Sequence, residues 1–157
     1  RKMKMLFKQR LFSWFDSYDI YGERGEVLLR VKGEMAWGHK LKIFDGQGKY
    51  VGTVREKKFT WMPQFKLYVG EECVGCLRRK FRLFGRKYVL DFNDWEISGN
   101  IMGWDYTITD GGEPVATIGK QLLRLTDTYV IDVIRPGNAL YALMVVLSID
   151  AELCRRG

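Results

Sequence analysis

Asn138-Ala-Leu-Tyr-Ala-Leu-Met-Val-Val-Leu-Ser-Ile-Asp150 is the stretch on which the fold turns. Nearly every position from Ala139 to Ile149 is apolar. Arg135-Pro136-Gly137 breaks the chain before it, so Asn138 is placed to cap a helix running to about Cys154. A helix that is apolar all round is either buried or spans a membrane. The eleven apolar-run residues rise only about 16 Å, against roughly 30 Å for a bilayer's hydrocarbon core. Asp150, Glu152, Arg155 and Arg156 then end the run. Burial is therefore expected, and the rest of the chain must supply the enclosure.

That enclosure shows itself as a repeat. Ile20, Ile43, Leu67, Leu90, Ile108 and Ile131 recur at spacings of 23, 24, 23, 18 and 23 residues, a period short enough to hold one hairpin each. The units Leu41–Lys57, Phe65–Lys80 and Tyr106–Lys120 show it best, and Asp45-Gly46 and Asp110-Gly111 provide positive-φ turn residues. Val51, Val54, Val74, Leu77, Val115 and Ile118 lie on β-branched, strand-like stretches. Val51 and Val54 are three apart where strict alternation would need an even spacing, which predicts a bulge or register break there.

Two strands per unit predicts twelve, near 5–8, 17–21, 27–33, 40–45, 49–57, 64–69, 73–81, 86–92, 94–101, 104–109, 114–122 and 128–134. A meander of this kind hides its edges most completely by closing into a barrel. Twelve strands make a barrel too wide for its own side chains to fill, and the helix at about 138–154 is the natural plug. The expected architecture is one all-β domain over residues 1–157, a closed antiparallel barrel around a central hydrophobic C-terminal helix.

Composition agrees with a single well-packed domain: 157 residues, 46% hydrophobic and 14% aromatic. Three cysteines, an odd number, suit a reducing compartment better than a disulfide framework. The basic start Arg1-Lys2-Met3-Lys4-Met5 is not followed by a signal-peptide apolar core. A cytoplasmic chain, peripheral at a membrane if it meets one, is the expectation. With 26 Lys and Arg against 19 Asp and Glu, a net charge of +7 favours anionic partners.

The segments Leu11–Tyr21, Val31–Asp45 and Asn138–Asp150 resemble the LURP-one-related family, and the resemblance covers nearly the whole chain. That family is similar in fold to the tubby C-terminal domain and to phospholipid scramblases. The resemblance thus implies a twelve-stranded barrel around a hydrophobic helix. It implies no particular activity. Tubby domains bind phosphoinositides through surface Lys and Arg, but no position here is matched to them residue by residue. The acidic calcium-binding segment beside the scramblase helix has no counterpart at Arg155-Arg156-Gly157, so calcium-driven scrambling is not implied.

Basic residues form the strongest candidate site. Arg78, Arg79, Lys80, Arg82, Arg86 and Lys87 fall between Cys76 and Tyr88. On a strand Arg78, Lys80 and Arg82 share one face, with Leu77, Phe81 and Leu83 on the other. Arg55, Lys57 and Lys58 come from the preceding hairpin. Aligned cations on neighbouring strands bind phosphate oxygens, although a solvated barrel face kept soluble by charge reads the same way. Trp61 and Met62, before Pro63, could dip into a membrane interface or cap a barrel end, with capping favoured.

Other candidates carry less. Cys73-Val-Gly-Cys76 lies in an expected strand, so it reads as two packing cysteines on opposite faces, without the four ligands a zinc site takes. His39 reads as a solvated turn residue, and Asp16, Asp19, Asp91, Asp94 and Glu96 as surface turn carboxylates. No phosphate loop, nucleophile elbow or dinucleotide fingerprint is present. No cofactor, metal or catalytic residue is expected, and no enzyme. The expected function is a non-catalytic module for anionic phospholipid headgroups, with a protein-interaction scaffold and nucleic-acid binding through the same basic strand as alternatives.

Overall fold

In the computed structural model, which describes residues 2–8, 17–36, 38–123 and 126–155, the six apolar anchors all face inward. Ile20, Ile43, Leu67, Ile108 and Ile131 are fully buried and Leu90 nearly so. They lie on alternate strands of a twelve-stranded antiparallel meander. Its first half is β1 (Met3–Phe7), β2 (Ser17–Tyr21), β3 (Val27–Ala36), β4 (Gly38–Asp45), β5 (Tyr50–Glu56) and β6 (Gln64–Val69). Its second half is β7 (Glu72–Lys80), β8 (Lys87–Leu90), β9 (Trp95–Asn100), β10 (Asp105–Asp110), β11 (Glu113–Leu123) and β12 (Thr126–Val133). β1 closes the barrel on β12, with Met3 opposite Val133 and Phe7 opposite Tyr129. The second and sixth strands coincide with their expected bounds.

The register break expected near Val51 is a bulge that recurs. Ile43 pairs with Gly52 and Phe44 with Tyr50, so Val51 is the extra residue. Leu28, Val74 and Val115 are skipped in the same way, opposite Ile20, Leu67 and Ile108 of the preceding strands. A bulge adds local twist and bends its strand. Four at equivalent places curve the barrel wall.

Inside runs α1 (Ala139–Arg155). It is entered through a 3-10 turn at Pro136–Asn138, whose Asn138 N–H bonds Arg135 O at 2.9 Å. Asn138 therefore lies in a 3-10 turn directly before Ala139, the first residue of α1. Ala142 through Ala151 are buried without interruption, because apolar side chains leave the helix in every direction and each meets an inward strand residue. Gly52 faces this helix: a Cβ there would lie 2.6 Å from Tyr68 O and 3.8 Å from Met144 Sδ. The acidic residues that end the apolar run stay inside the barrel. Asp150 and Glu152 are each 1% exposed. No helix among the described residues is long and apolar enough to cross a membrane.

Candidate anion-binding surface

Strand alternation that turns Leu41, Val54, Phe65, Leu67 and Leu77 inward turns their neighbours outward. On the outer wall Lys40 lies directly opposite Arg55, and Arg55 directly opposite Lys66, giving three cations in one row across β4, β5 and β6. One step towards the end where α1 finishes, Lys57 donates its N–H to Gln64 O at 2.9 Å, and Gln64 faces Arg78 on β7. One step further, Lys80 faces Lys87 across β7 and β8. The cations thus climb the wall diagonally.

Two shallow depressions follow that diagonal. One, of about 460 Å³, is lined by Lys40, Lys42, Tyr50, Thr53, Arg55 and Tyr68 among others. The other, of about 410 Å³, is lined by Arg55, Lys57, Lys58, Lys66 and Tyr68 among others. Arg55 and Tyr68 belong to both. A guanidinium between two ammonium groups, with hydroxyls alongside, is a donor set for phosphate oxygens, which Arg engages through two parallel N–H bonds.

Glu34 answers part of the charge, lying 3.1 Å from Lys42 Nζ and 3.8 Å from Lys40 Nζ. The hydrogen bond from Lys42 holds its carboxyl below the usual carboxylate range, against a smaller opposing effect of burial. Among the described residues no carboxylate comes within ion-pair distance of Arg55, Lys66, Arg78, Lys80 or Lys87. Like charges directly opposite on adjacent strands destabilise a sheet. Lys40 has Glu34 as a counter-charge, while Arg55 and Lys66 face each other with like charge.

The expected basic residues divide between three places. Arg55, Lys57, Arg78, Lys80 and Lys87 lie on or at the edge of this wall. Arg82 does not share a strand face with Arg78 and Lys80, because β7 ends at Lys80; it is exposed on the connection to β8. Arg86 is drawn largely out of the surface. Its Nη1 lies 2.8 Å and 2.7 Å from the two carboxylate oxygens of Glu152, inside the barrel end. Arg79, inward by the same parity as Leu77, also bonds Glu152, and Tyr88 Oη donates to it at 2.9 Å. Burial and the neighbouring Glu152 push the Tyr88 hydroxyl strongly upward, so it remains a donor. This cluster fastens the last turn of α1 to β7 and β8.

Lys40 and Lys42 on β4 and Lys66 on β6 were missed because only the barrel's register brings them beside Arg55 on β5. The bulge at Val74 corrects the reading of the cysteines. By adding a residue between Cys73 and Cys76 it turns both outward, Cys73 exposed and Cys76 half-buried. Burial and the neighbouring Asp91 push the Cys76 thiol up. His39 sits in β4 rather than in a turn, its Nδ1 2.9 Å from Oε1 of buried Glu56. Asp19 binds Arg30 Nε at 2.7 Å, and Asp91 accepts the Cys76 N–H at 2.8 Å. Asp16 lies outside the described residues, among which no three His, Cys, Asp or Glu side chains converge to hold a metal ion.

The chain is 23% identical over 152 residues to the uncharacterized protein YxjI of Bacillus subtilis (strain 168), covering 96% of this chain and 94% of that one. The X-ray structure of an Arabidopsis thaliana protein matches with a TM-score of 0.66 at 18% identity, over 96% of this chain and 91% of that one, a likeness of fold. The model of the LURP-one-related family matches residues 3–149. By that match over nearly its whole length, the chain belongs to the LURP-one-related family.

Proposed function

We propose that this protein is a non-catalytic module that binds anionic phospholipid headgroups at a membrane surface through its outer barrel wall. The observation that carries this reading is the cross-strand row Lys40–Arg55–Lys66, in which only Lys40 has a carboxylate neighbour among the described residues, continued by Arg78, Lys80 and Lys87. A non-catalytic role is supported by the packing of the lumen, which side chains of α1 occupy from Ala142 to Ala151. The contact with the bilayer is peripheral in this reading, since the outer wall between the loops is charged.

Co-sedimentation with vesicles tests it. Binding is expected to phosphatidylcholine vesicles carrying phosphatidylserine or phosphoinositide, and not to phosphatidylcholine alone. A basic residue near an anionic leaflet contributes about 1 kcal/mol, so the double reversal Arg55→Glu with Lys66→Glu should weaken binding more than about tenfold. The triple reversal of Arg78, Lys80 and Arg82 to Glu should weaken it too. Equal recovery on neutral and anionic vesicles would remove the proposal. A gel shift of nucleic acid with no vesicle binding would move the same surface to the nucleic-acid reading.

A further inference from the structure

Both connections that flank the basic wall at the end where α1 finishes expose large apolar side chains. On the β5–β6 connection Phe59 is 97% and Trp61 83% exposed. On the β7–β8 connection Phe81 is 63%, Leu83 81% and Phe84 85% exposed. Trp61 therefore does not cap the barrel end. It stacks on Phe81 with ring centroids 5.9 Å apart, which ties the two connections into one tip. Phe59 holds a left-handed backbone, φ 60°, a conformation unusual for a bulky residue and kept where the surroundings or function demand it. A soluble surface rarely gathers so many large apolar groups without a partner.

The charges around the tip say which partner. Residues 57–70 and 73–90 contain no Asp or Glu, while Lys57 and Lys58 flank one connection and Lys80, Arg82 and Lys87 the other. A projecting apolar cap ringed by cations matches the two layers of an anionic leaflet: an acyl and interfacial region for the rings, and phosphate groups above it for the ammonium and guanidinium groups. We infer that the tip formed by Phe59, Trp61, Phe81, Leu83 and Phe84 inserts into the interfacial layer of an anionic bilayer and fixes the orientation of the barrel on it. The inference takes its partner from the phospholipid reading above but rests on different residues.

Tryptophan fluorescence of the whole chain tests it, with vesicles of phosphatidylcholine and phosphatidylserine made with or without brominated acyl chains. Bound protein should show a blue shift and quenching by the brominated chains. Trp61→Phe, which keeps the tip apolar, should bind but lose much of that quenching. The combined variant Phe59→Ser, Trp61→Ser, Phe81→Ser and Phe84→Ser removes only exposed side chains and should fold normally by circular dichroism. It should bind at least about tenfold more weakly, because apolar burial and charge act together at an interface. Binding by the parent without quenching, or an unweakened serine variant, would overturn insertion while leaving headgroup binding intact, and would assign the tip to a protein partner instead. No binding of the parent to anionic vesicles would end the phospholipid reading itself, and insertion with it.

Discussion

Replacing Glu152 by Ala isolates the cluster that holds the helix in the barrel. The Glu152 side chain is fully buried, and the two guanidinium groups it binds are only 16% and 13% exposed at Arg79 and Arg86. Removing the carboxylate leaves two largely desolvated cations facing each other and takes the acceptor from Tyr88 Oη. Breaking a buried ion pair by deleting one partner costs about 3–5 kcal/mol. At about 2–4 °C per kcal/mol for a chain of this size, that is a fall in Tm of about 6–20 °C. Thermal unfolding followed by circular dichroism measures it. The combined apolar replacement Arg79→Met, Arg86→Met, Tyr88→Phe and Glu152→Leu should restore most of the loss, since it removes these four mutually bonded polar groups together. A shift below about 2 °C for Glu152→Ala would refute the reasoning. So would a combined variant as unstable as the single one.

Gly52→Val should destabilise by about 1–3 kcal/mol, an overpacking cost, because its Cβ would press on the Tyr68 carbonyl oxygen, which is backbone and cannot swing away; denaturant midpoints check it. Alkylation followed by peptide mapping should find exposed Cys73 modified before Cys76, whose raised thiol demands a higher pH than an ordinary one to form thiolate. Equal rates across the alkaline range would contradict the burial of Cys76. Vesicle binding should weaken steeply between low and high salt, as contacts between exposed charges and headgroups are screened over about 10 Å at 0.1 M; a salt-independent affinity would point away from the basic wall.

The barrel was legible because its signals are local and repeated. One anchor per hairpin, from Ile20 to Ile131, and one uninterrupted apolar helix specify the strand count and the plug between them. What escaped depends on register or on compensation. Lys40, Arg55 and Lys66 are far apart in sequence and meet only because β4, β5 and β6 pair in one register. Cys73 and Cys76 follow strict alternation on paper, but the Val74 bulge shifts the parity by one. Glu152 and Arg86 look like surface charges singly, and their pairing lets Glu152 be buried and draws Arg86 into the barrel end. His39 follows Gly38, which suggests a turn, yet β4 begins at that glycine.

The position of α1 after β12 bears on how the barrel is made. β1 must wait for β12, since Met3 pairs with Val133, and the lumen has no packing until the helix after β12 arrives. Hairpins can form as they emerge, but none can bury its inner face on its own partner strand alone. Such long-range closure slows folding and leaves apolar strand faces open to other chains in the meantime. The seventeen residues of α1 thus act as the commitment step of assembly. A nascent chain halted before them would present a ring of unfilled hydrophobic strands, a species for chaperones to hold.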